Sequence, residues 1–336
     1  MDKIKITGGK QLRGEVNISG AKNAALPLIA SSILVKGKIC FTNVPDLMDI
    51  TSIRLLLEDL GATCKASKGY LEVDGSSINK IEAEYDLVRK MRASILVLCP
   101  LVARFGHAKV SLPGGCAIGA RPVNMHLSGL EALGASIKIE HGYIEAKASR
   151  LIGNEIYFDM PTVTGTENLM MAATLAKGTS VLRNAAREPE IVALADALNK
   201  MGAKIKGAGT TIIFIEGVKS LHPVDIKIIP DRIETGTFMV AAAATGGDIL
   251  IKGCNPDHLG GIINKLKATG TIVKPFTDSI QIINNKPVKS VDIKTLPYPG
   301  FPTDMQAQFM TLMAIADGNS VIHESIFENR FIHANE

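Results

Sequence analysis

Hydrophobic positions along the chain follow the helical period in short stretches, and each stretch ends at a glycine. Leucines, isoleucines or methionines three and four residues apart form an apolar face ahead of Gly61, Gly134, Gly202 and Gly270. Glycine just past such a stretch is typical of a helix C-cap, because it adopts the left-handed conformation without strain. The pattern predicts four amphipathic helices whose closing glycines recur every 68 to 73 residues.

Other elements recur around these helices. A more continuously apolar helix is predicted ahead of each one, with a fifth such helix near the end of the chain: residues 24–34, 91–103, 168–176, 237–245 and 307–316. Alternating or β-branched residues after the closing glycines predict paired short strands. The repeating unit is strand, helix, strand, helix, strand, strand. Four copies are complete and a fifth, from near Pro287, lacks its second helix, so we expect a chain cut short, with its last units incomplete.

Composition allows a large aliphatic core. The 336 residues are 46% hydrophobic but only 4% aromatic, without tryptophan, and their number fits roughly two domains. A net charge of +4 without a basic run does not favour nucleic-acid binding. No apolar run approaches the ~20 residues that span a membrane. We expect a soluble, cytoplasmic α/β protein that binds neither nucleic acid nor membrane.

Two segments offer chemistry, each with a plain structural alternative. The glycine- and proline-rich loop 113–122 places Cys116 five residues ahead of Arg121, and a nearby cation lowers a thiol pKa. On composition alone, an incidental cysteine in a surface loop is the better interpretation. Lys22 opens a helix after a glycine turn, where anions bind, although taken alone an ordinary exposed lysine at a helix start is the better interpretation.

Carboxylates and hydroxyls at other helix starts are also open to two interpretations. Asp304 lies just ahead of a helix, where it is either an N-cap or a general base. Thr164 with Glu167 predicts a capping pair. The histidines and cysteines show no metal-ligand spacing, and there is no GxGxxG or P-loop motif. We therefore expect no metal site.

Six segments, in this order, resemble the enolpyruvyl transferases: Ser19–Asn23, Pro113–Pro122, Asn184–Glu190, Asp231–Thr237, Phe301–Gln308 and Phe327–Phe331. The resemblance covers essentially the whole chain. It is closer to the branch acting on UDP-N-acetylglucosamine than to the shikimate-pathway branch, which has Lys-Ser in place of Lys22-Asn23. It implies a two-domain inside-out α/β barrel with ligands bound between residues 1–20 plus 230–336 and residues 21–229.

The resemblance implies transfer of the enolpyruvyl group of phosphoenolpyruvate to the 3-hydroxyl of UDP-N-acetylglucosamine, which commits the sugar to peptidoglycan synthesis. Cys116 would protonate the methylene carbon, and it would be the thiol that fosfomycin-type epoxides alkylate. Asp304 would deprotonate the sugar hydroxyl. The substrate-binding residues would be Lys22, Asn23, Arg92, Arg121, Pro122, Val123, Asn124, Met125, Val163, Thr164, Gly165, Asp304, Ile326 and Arg330. No metal or organic cofactor is implied, and we expect a monomer.

Departures from the family leave alternatives open. Pro161 and Val163 stand where some members have Lys and Ser, and Asn124 replaces a common Asp. Family members also continue beyond residue 336 with arginines that close over phosphoenolpyruvate. One alternative is a catalytically impaired remnant that binds only the UDP-sugar. Another is a solenoid-like binding module without a reactive thiol.

Overall fold

The computed structural model describes residues 3–83, 92–112 and 123–335, with residues 92 and 93 described for the backbone alone. The chain forms two compact units, one of Met1–Ser19 with Pro230–Glu336 and one of Gly20–Ile229. Each unit has its own hydrophobic core. Helices alternate with short strands in both units, so the fold belongs to the α/β class.

The α-helices of the described ranges, in chain order, are α1 Lys22–Ala30, α2 Met48–Asp59, α3 Leu98–Phe105, α4 Asn124–Ala132, α5 Val163–Ala173, α6 Pro189–Lys200, α7 Arg232–Ala244, α8 Gly260–Ala268 and α9 Gln306–Ala314. Shorter 3₁₀ segments are Ser31–Leu34, Arg92–Val97, Pro256–Leu259, Thr303–Met305 and Ile332–Asn335. Within the described ranges, no helix has the length and hydropathy that a membrane crossing requires.

The strands are β1 Arg13–Asn17, β2 Lys38–Thr42, β3 Thr63–Ser67, β4 Tyr70–Asp74, β5 Glu82–Ala83, β6 His107–Ser111, β7 Ser136–Glu140, β8 Tyr143–Lys147, β9 Glu155–Tyr157, β10 Thr179–Arg183, β11 Lys204–Lys206, β12 Ile212–Glu216, β13 Ile226–Lys227, β14 Asp248–Lys252, β15 Ile272–Pro275, β16 Ser279–Ile283, β17 Ile293–Lys294 and β18 Ile322–His323. The four-stranded sheets are β13-β2-β4-β3, β5-β6-β8-β7, β9-β10-β12-β11 and β1-β14-β16-β15.

All four sheets share one topology, which confirms the predicted repeat. In each sheet a parallel strand joins a central strand, and an antiparallel hairpin completes the other edge. Strands β2, β4, β8 and β12 alternate between buried and more exposed positions, so one face of the sheet packs on the core. The first helix of a copy is more deeply buried: in α5, every residue from Gly165 to Ala173 is buried.

The predicted C-cap glycines are confirmed. Gly61, Gly134, Gly202 and Gly270 each follow a helix end, with φ between +90° and +104°. Because a side chain at such a φ would be strained, glycine ends these helices at the predicted positions.

The chain crosses between the units, and the crossing shows in the strand pairing. Strand β1 pairs with β14, more than 200 residues later, and completes the sheet of the fourth copy. The first copy receives its edge strand from β13 near the end of its own unit. The parallel edge strands of these two sheets are thus supplied by distant parts of the sequence.

Several predicted helix boundaries were wrong at the N-terminal end. The helix predicted over residues 91–103 is a 3₁₀ turn, Arg92–Val97, followed by α3. Helices α5 and α7 begin five residues earlier than predicted, at Val163 and Arg232. Their first turns contain threonine, glycine and charged residues, which hide the apolar period from which the helices were predicted.

Of the fifth copy, the described residues contain β17, α9 and β18, which forms a two-stranded parallel sheet with β17. The chain after β18 makes a 3₁₀ turn at Ile332–Asn335. The last repeat therefore has the partial set of elements that the sequence predicts.

Gly20 generates a stability prediction, because its Cα faces the main chain of another segment. A Cβ at Gly20 would lie 1.8 Å from the Asn43 carbonyl oxygen, whereas one at Gly260 would meet nothing within 4 Å. We expect Gly20→Ala to lower the free energy of unfolding by about 1–3 kcal/mol through overpacking. Gly260→Ala, at φ −49° in the first turn of α8, should raise it by about 0.4–1 kcal/mol. Urea unfolding of both variants checks this, and equal effects would contradict it.

Candidate functional site

Lys22 and Asn23 form the first turn of α1, where the sequence predicts an anion site. The Lys22 ammonium Nζ lies 3.2 Å from Asp49 Oδ2 on α2, and their side chains are 43% and 34% exposed. Ala21, the N-cap residue, contributes no side-chain cap. A cation at a helix N-terminus adds to the positive end of the helix dipole. This end of α1 therefore suits an anionic ligand that displaces or shares the Asp49 contact.

A buried histidine connects the starts of α4 and α5. His126 is 3% exposed. The Asn168 amide nitrogen Nδ2 donates both to His126 Nδ1, at 2.9 Å, and to the Ile95 carbonyl, at 2.9 Å. Since a carbonyl accepts only, this second bond fixes which end of the amide faces the ring. His126 Nδ1 is therefore an acceptor, and Nε2–H points to Thr164 Oγ1 at 3.4 Å.

This network changes the interpretation of the α5 start. The capping prediction for Thr164 with Glu167 was wrong: the N-cap is Thr162, whose Oγ1 accepts from Gly165 N at 3.3 Å. A Cβ at Gly165 would lie 2.4 Å from the Thr162 methyl carbon, so glycine allows the cap to close. Thr164 is exposed and contacts His126 instead. His126 thereby joins two segments that the resemblance implies bind substrate, Val123–Met125 and Val163–Gly165.

Glu167 lies one turn into α5 and is 1% exposed. Its Oε1 has no hydrogen-bond partner among the described residues. Burial raises the pKa of the Glu167 carboxyl well above its usual value, and repulsion from Glu190 and Glu188 adds to the rise. The environment of Glu167 therefore favours the protonated, neutral form of the side chain in the folded chain.

In the other unit, Asp304 and Arg330 form an ion pair. Asp304 lies in the 3₁₀ turn ahead of α9, and Arg330 Nη2 donates to its Oδ1 at 2.8 Å. The interpretation of Asp304 as an N-cap was wrong, because Pro302 is the cap residue of this turn and no side-chain cap bond forms there. Arg330 is 18% exposed and Asp304 38%. One carboxylate oxygen is thus oriented by a guanidinium while much of the side chain remains accessible.

A second carboxylate stands behind this pair. Glu324 Oε1 accepts from Thr295 Oγ1 at 2.8 Å and from the Ile326 and Phe327 amides at 2.8 and 3.2 Å. Its Oε2 accepts from Thr303 Oγ1 at 2.9 Å. Thr303 is the neighbour of Asp304, so Glu324 joins the Asp304 turn to the segment that carries Ile326.

The structure thus brings the predicted residues together in two local groups. His126 links Val123–Met125 and Val163–Gly165 in one unit, and Asp304, Arg330 and Ile326 gather in the other. Cys116, Arg121 and Pro122 lie outside the described residues, as does the Arg92 side chain, so their predicted roles stay predictions.

His126, Asn168 and Glu324 are not among the site residues predicted from the sequence. The signal available for them was weak: a histidine or asparagine within an apolar helical stretch, or a glutamate after a short strand. In the part of the chain that the structure describes, no three His, Cys, Asp or Glu side chains are grouped as metal ligands would be.

The model of the EPSP synthase family, described as EPSP synthase (3-phosphoshikimate 1-carboxyvinyltransferase), matches residues 6–336. This chain therefore belongs to the EPSP synthase family of transferases.

Individual proteins share much of their sequence with this chain. A protein of Desulforapulum autotrophicum named UDP-N-acetylglucosamine 1-carboxyvinyltransferase is 72% identical over 100% of this chain and 81% of its own length. One of the same name from Desulfosudis oleivorans is 62% identical, with the same coverage. Among solved structures, the enolpyruvyl transferase NikO from Streptomyces tendae matches with a TM-score of 0.88 and 24% identity, over 98% of this chain and 78% of that one. EPSP synthase from Acinetobacter baumannii gives 0.69 and 19%, over 94% and 74%. These two structures share the fold.

Glu167 predicts a pH dependence of stability. Its raised pKa means that the folded state retains a proton which the unfolded chain releases above about pH 4.5. The free energy of unfolding therefore falls as pH rises above about 4.5, towards the raised pKa of Glu167 in the folded chain. The limiting slope for one proton is about 1.4 kcal/mol per pH unit. Glu167→Gln removes this loss, so its free energy of unfolding relative to wild type should increase with pH. Urea titrations between pH 4 and 9 measure it.

Glu155→Gln is the matched control with the opposite sign. Hydrogen bonding from the exposed Arg183 lowers the pKa of Glu155, so wild type should be slightly more stable than this variant at neutral pH, and the difference should disappear on acidification. The difference should be small, because solvent screens an exposed ion pair. A Glu167→Gln variant whose relative stability does not change with pH would contradict the buried neutral acid.

The described cysteines predict a pattern of alkylation. Burial raises the pKa of the Cys64 thiol to about 12 and that of Cys254 to about 11, and raises that of the fully buried Cys99 well above its usual value. Only the thiolate reacts, and at pH 8 a thiol of pKa 12 is ionised to about one part in 10⁴. Brief iodoacetamide treatment should therefore leave these three unmodified in the folded chain and modify them in guanidinium. Peptide mass mapping would reveal early labelling at Cys64, which would contradict it.

Proposed function

We propose that this chain transfers the enolpyruvyl group of phosphoenolpyruvate to the 3-hydroxyl of UDP-N-acetylglucosamine and releases phosphate, as a step of peptidoglycan precursor synthesis. The observation that carries the proposal is the 72% identity, over all of this chain, to a protein named for that reaction. The ion pair of Asp304 with Arg330 supports it, because it supplies an oriented carboxylate in a partly exposed position. Asp304 is the residue that the reaction requires as a base.

The reaction has two halves, in which atoms and charge balance. The sugar 3-hydroxyl oxygen bonds to C2 of phosphoenolpyruvate, its proton passes to Asp304, and the Cys116 thiol donates a proton to the methylene carbon C3. This addition forms a tetrahedral intermediate that carries both the sugar and the phosphate. Elimination then breaks the C2–O bond, whose electron pair leaves with the phosphate, while a C3 proton passes to the Cys116 thiolate and the C3–H electron pair restores the double bond. The proton held by Asp304 passes to the departing phosphate, so both groups return to their starting states.

The cationic and polar residues bind rather than react. Lys22, Arg92 and Arg121 hold the phosphate and carboxylate of phosphoenolpyruvate, because lysine and bidentate arginine suit these groups. Asn23, beside Lys22 at the start of α1, contacts the reacting centre. The uridine side is bound by Arg121 to Met125 and by the turn from Thr162 to Gly165, with the Thr164 hydroxyl oriented by His126. Ile326 and Arg330 line the sugar near Asp304.

We also propose that the protein works as a monomer in the cytoplasm. The cysteines that the structure describes, Cys40, Cys64, Cys99 and Cys254, are free thiols. Unpaired cysteines are typical of proteins kept in a reducing compartment.

Phosphate release tests the reaction directly. The chain should release phosphate from phosphoenolpyruvate only when UDP-N-acetylglucosamine is present. Asp304→Asn and Cys116→Ser should each lower kcat by about 10²–10⁴-fold, the usual contribution of a general base or acid. The exposed Asp317→Asn and the half-buried Cys40→Ser are matched controls and should remain at the wild-type rate.

Two outcomes would contradict the proposal. Phosphate release with 3-phosphoshikimate and not with the UDP-sugar would assign the chain to the other branch of its family. Calorimetric binding of the UDP-sugar without any turnover would favour the non-catalytic remnant. Alkylation by fosfomycin adds a second test, since the epoxide should modify Cys116 faster when the UDP-sugar is bound, whereas a binding module without a reactive thiol would remain unmodified there.

A further inference from the structure

We infer that Glu324 is a positioning residue for the reaction, because its carboxylate sets the geometry of the Asp304 turn and of the segment that carries Ile326 and Arg330. This role rests on the proposed function, in which Asp304 takes the proton of the sugar hydroxyl. No sequence motif marks Glu324, and it does not contact Asp304 itself.

Several hydrogen bonds converge on the Glu324 side chain. Glu324 accepts four hydrogen bonds, two from threonine hydroxyls and two from main-chain amides, all between 2.8 and 3.2 Å. A carboxylate has about four acceptor positions and no donor. Most of its hydrogen-bonding capacity is therefore used by neighbouring segments of its own unit, with three donors on Oε1 and one on Oε2.

The donors to Glu324 lie in the two segments that carry Asp304 and Arg330. Thr303 directly precedes Asp304 in the 3₁₀ turn, so its bond to Glu324 limits rotation of that turn. Ile326 and Phe327 begin the bend that leads to Arg330, which reaches back to Asp304. The Glu324 carboxylate is thus bonded both to the turn that carries Asp304 and to the segment that leads to Arg330.

Thr295, which donates to Glu324, is itself held firmly in place. Thr295 is fully buried, and its Oγ1 both donates to Glu324 and accepts from Ser325 N at 2.9 Å. Ser325 Oγ also donates to the Thr295 carbonyl oxygen. The loop around residue 295 and the segment 324–327 therefore form one hydrogen-bonded block, and Glu324 transmits its position to Thr303. A displacement of about 1 Å at a reacting group costs roughly 10²-fold in rate.

Three variants test this role by steady-state kinetics on the full chain, with phosphate release as readout. Glu324→Ala removes all four acceptors and should lower kcat about 100-fold and raise KM for the UDP-sugar, because Ile326 loses its support as well. Thr303→Val removes only the bond to the Asp304 turn and should lower kcat about 10-fold, with little change in KM. Glu324→Gln keeps the acceptor for three donors, while the Thr303 hydroxyl can turn to accept from the amide; it should remain within about threefold of wild type.

Controls separate positioning from folding and from the function itself. Glu15→Ala removes an exposed carboxylate of the same unit, paired with Lys252, and should leave kcat unchanged. Near-UV circular dichroism and the melting temperature show whether each variant is folded. If Glu324→Ala does not fold, the kcat and KM values of Thr303→Val and Glu324→Gln still decide the question. A wild-type chain that releases no phosphate would overturn the proposed function, and this role with it.

With an active wild type, three results would overturn the role of Glu324 alone. The first is a folded Glu324→Ala variant with wild-type kcat. The second is a Glu324→Gln variant as slow as Glu324→Ala, since geometry would then not be what the side chain supplies. The third is additivity of Glu324→Ala and Thr303→Val in the double variant, because residues that act through one hydrogen bond should not add.

Discussion

Burial of the first helices in the unit Gly20–Ile229, which is nearly complete in α5, is the constraint on which much of this structure depends. A helix surrounded by sheets and other helices has no polar face, so every polar side chain along it requires a partner or must lose its charge. Helix α5 shows all of these solutions within three residues. Thr166 accepts from the Ala186 amide, Asn168 donates to a carbonyl and to His126, and Glu167 has a raised pKa.

The same constraint locates the candidate chemistry at helix starts. Where a buried helix begins, its first amides emerge from the core and its dipole presents a positive end. Lys22 and Asn23 lie at the start of α1, Thr164 at the start of α5, and Asp304 in the turn that precedes α9. The repeat therefore presents equivalent positions several times, and the residue type at each position decides whether that position carries a cation, a hydroxyl or a carboxylate.

The two carboxylates of the Asp304 region show how environment separates roles. Asp304 is partly exposed and shares one oxygen with Arg330, which leaves it accessible to a hydroxyl group. Glu324, about twenty residues along the chain, accepts four hydrogen bonds from its own unit. A carboxylate that accepts several hydrogen bonds can hold the neighbouring segments in place, whereas a partly exposed carboxylate can exchange a proton.

The amino-acid sequence by itself determined the repeat, the helix ends and the class of fold, because left-handed glycines and apolar periods act over a few residues. It also carried the family motifs that name Lys22, Asp304 and Arg330 as site residues. Only the tertiary structure decided that β1 pairs with β14, that His126 orients Thr164, and that Asp304 faces Arg330 instead of capping a helix. The two partners of each pair are separated by 26 to more than 200 residues along the sequence. Whether they form a hydrogen bond therefore depends on which segments the packed core brings together.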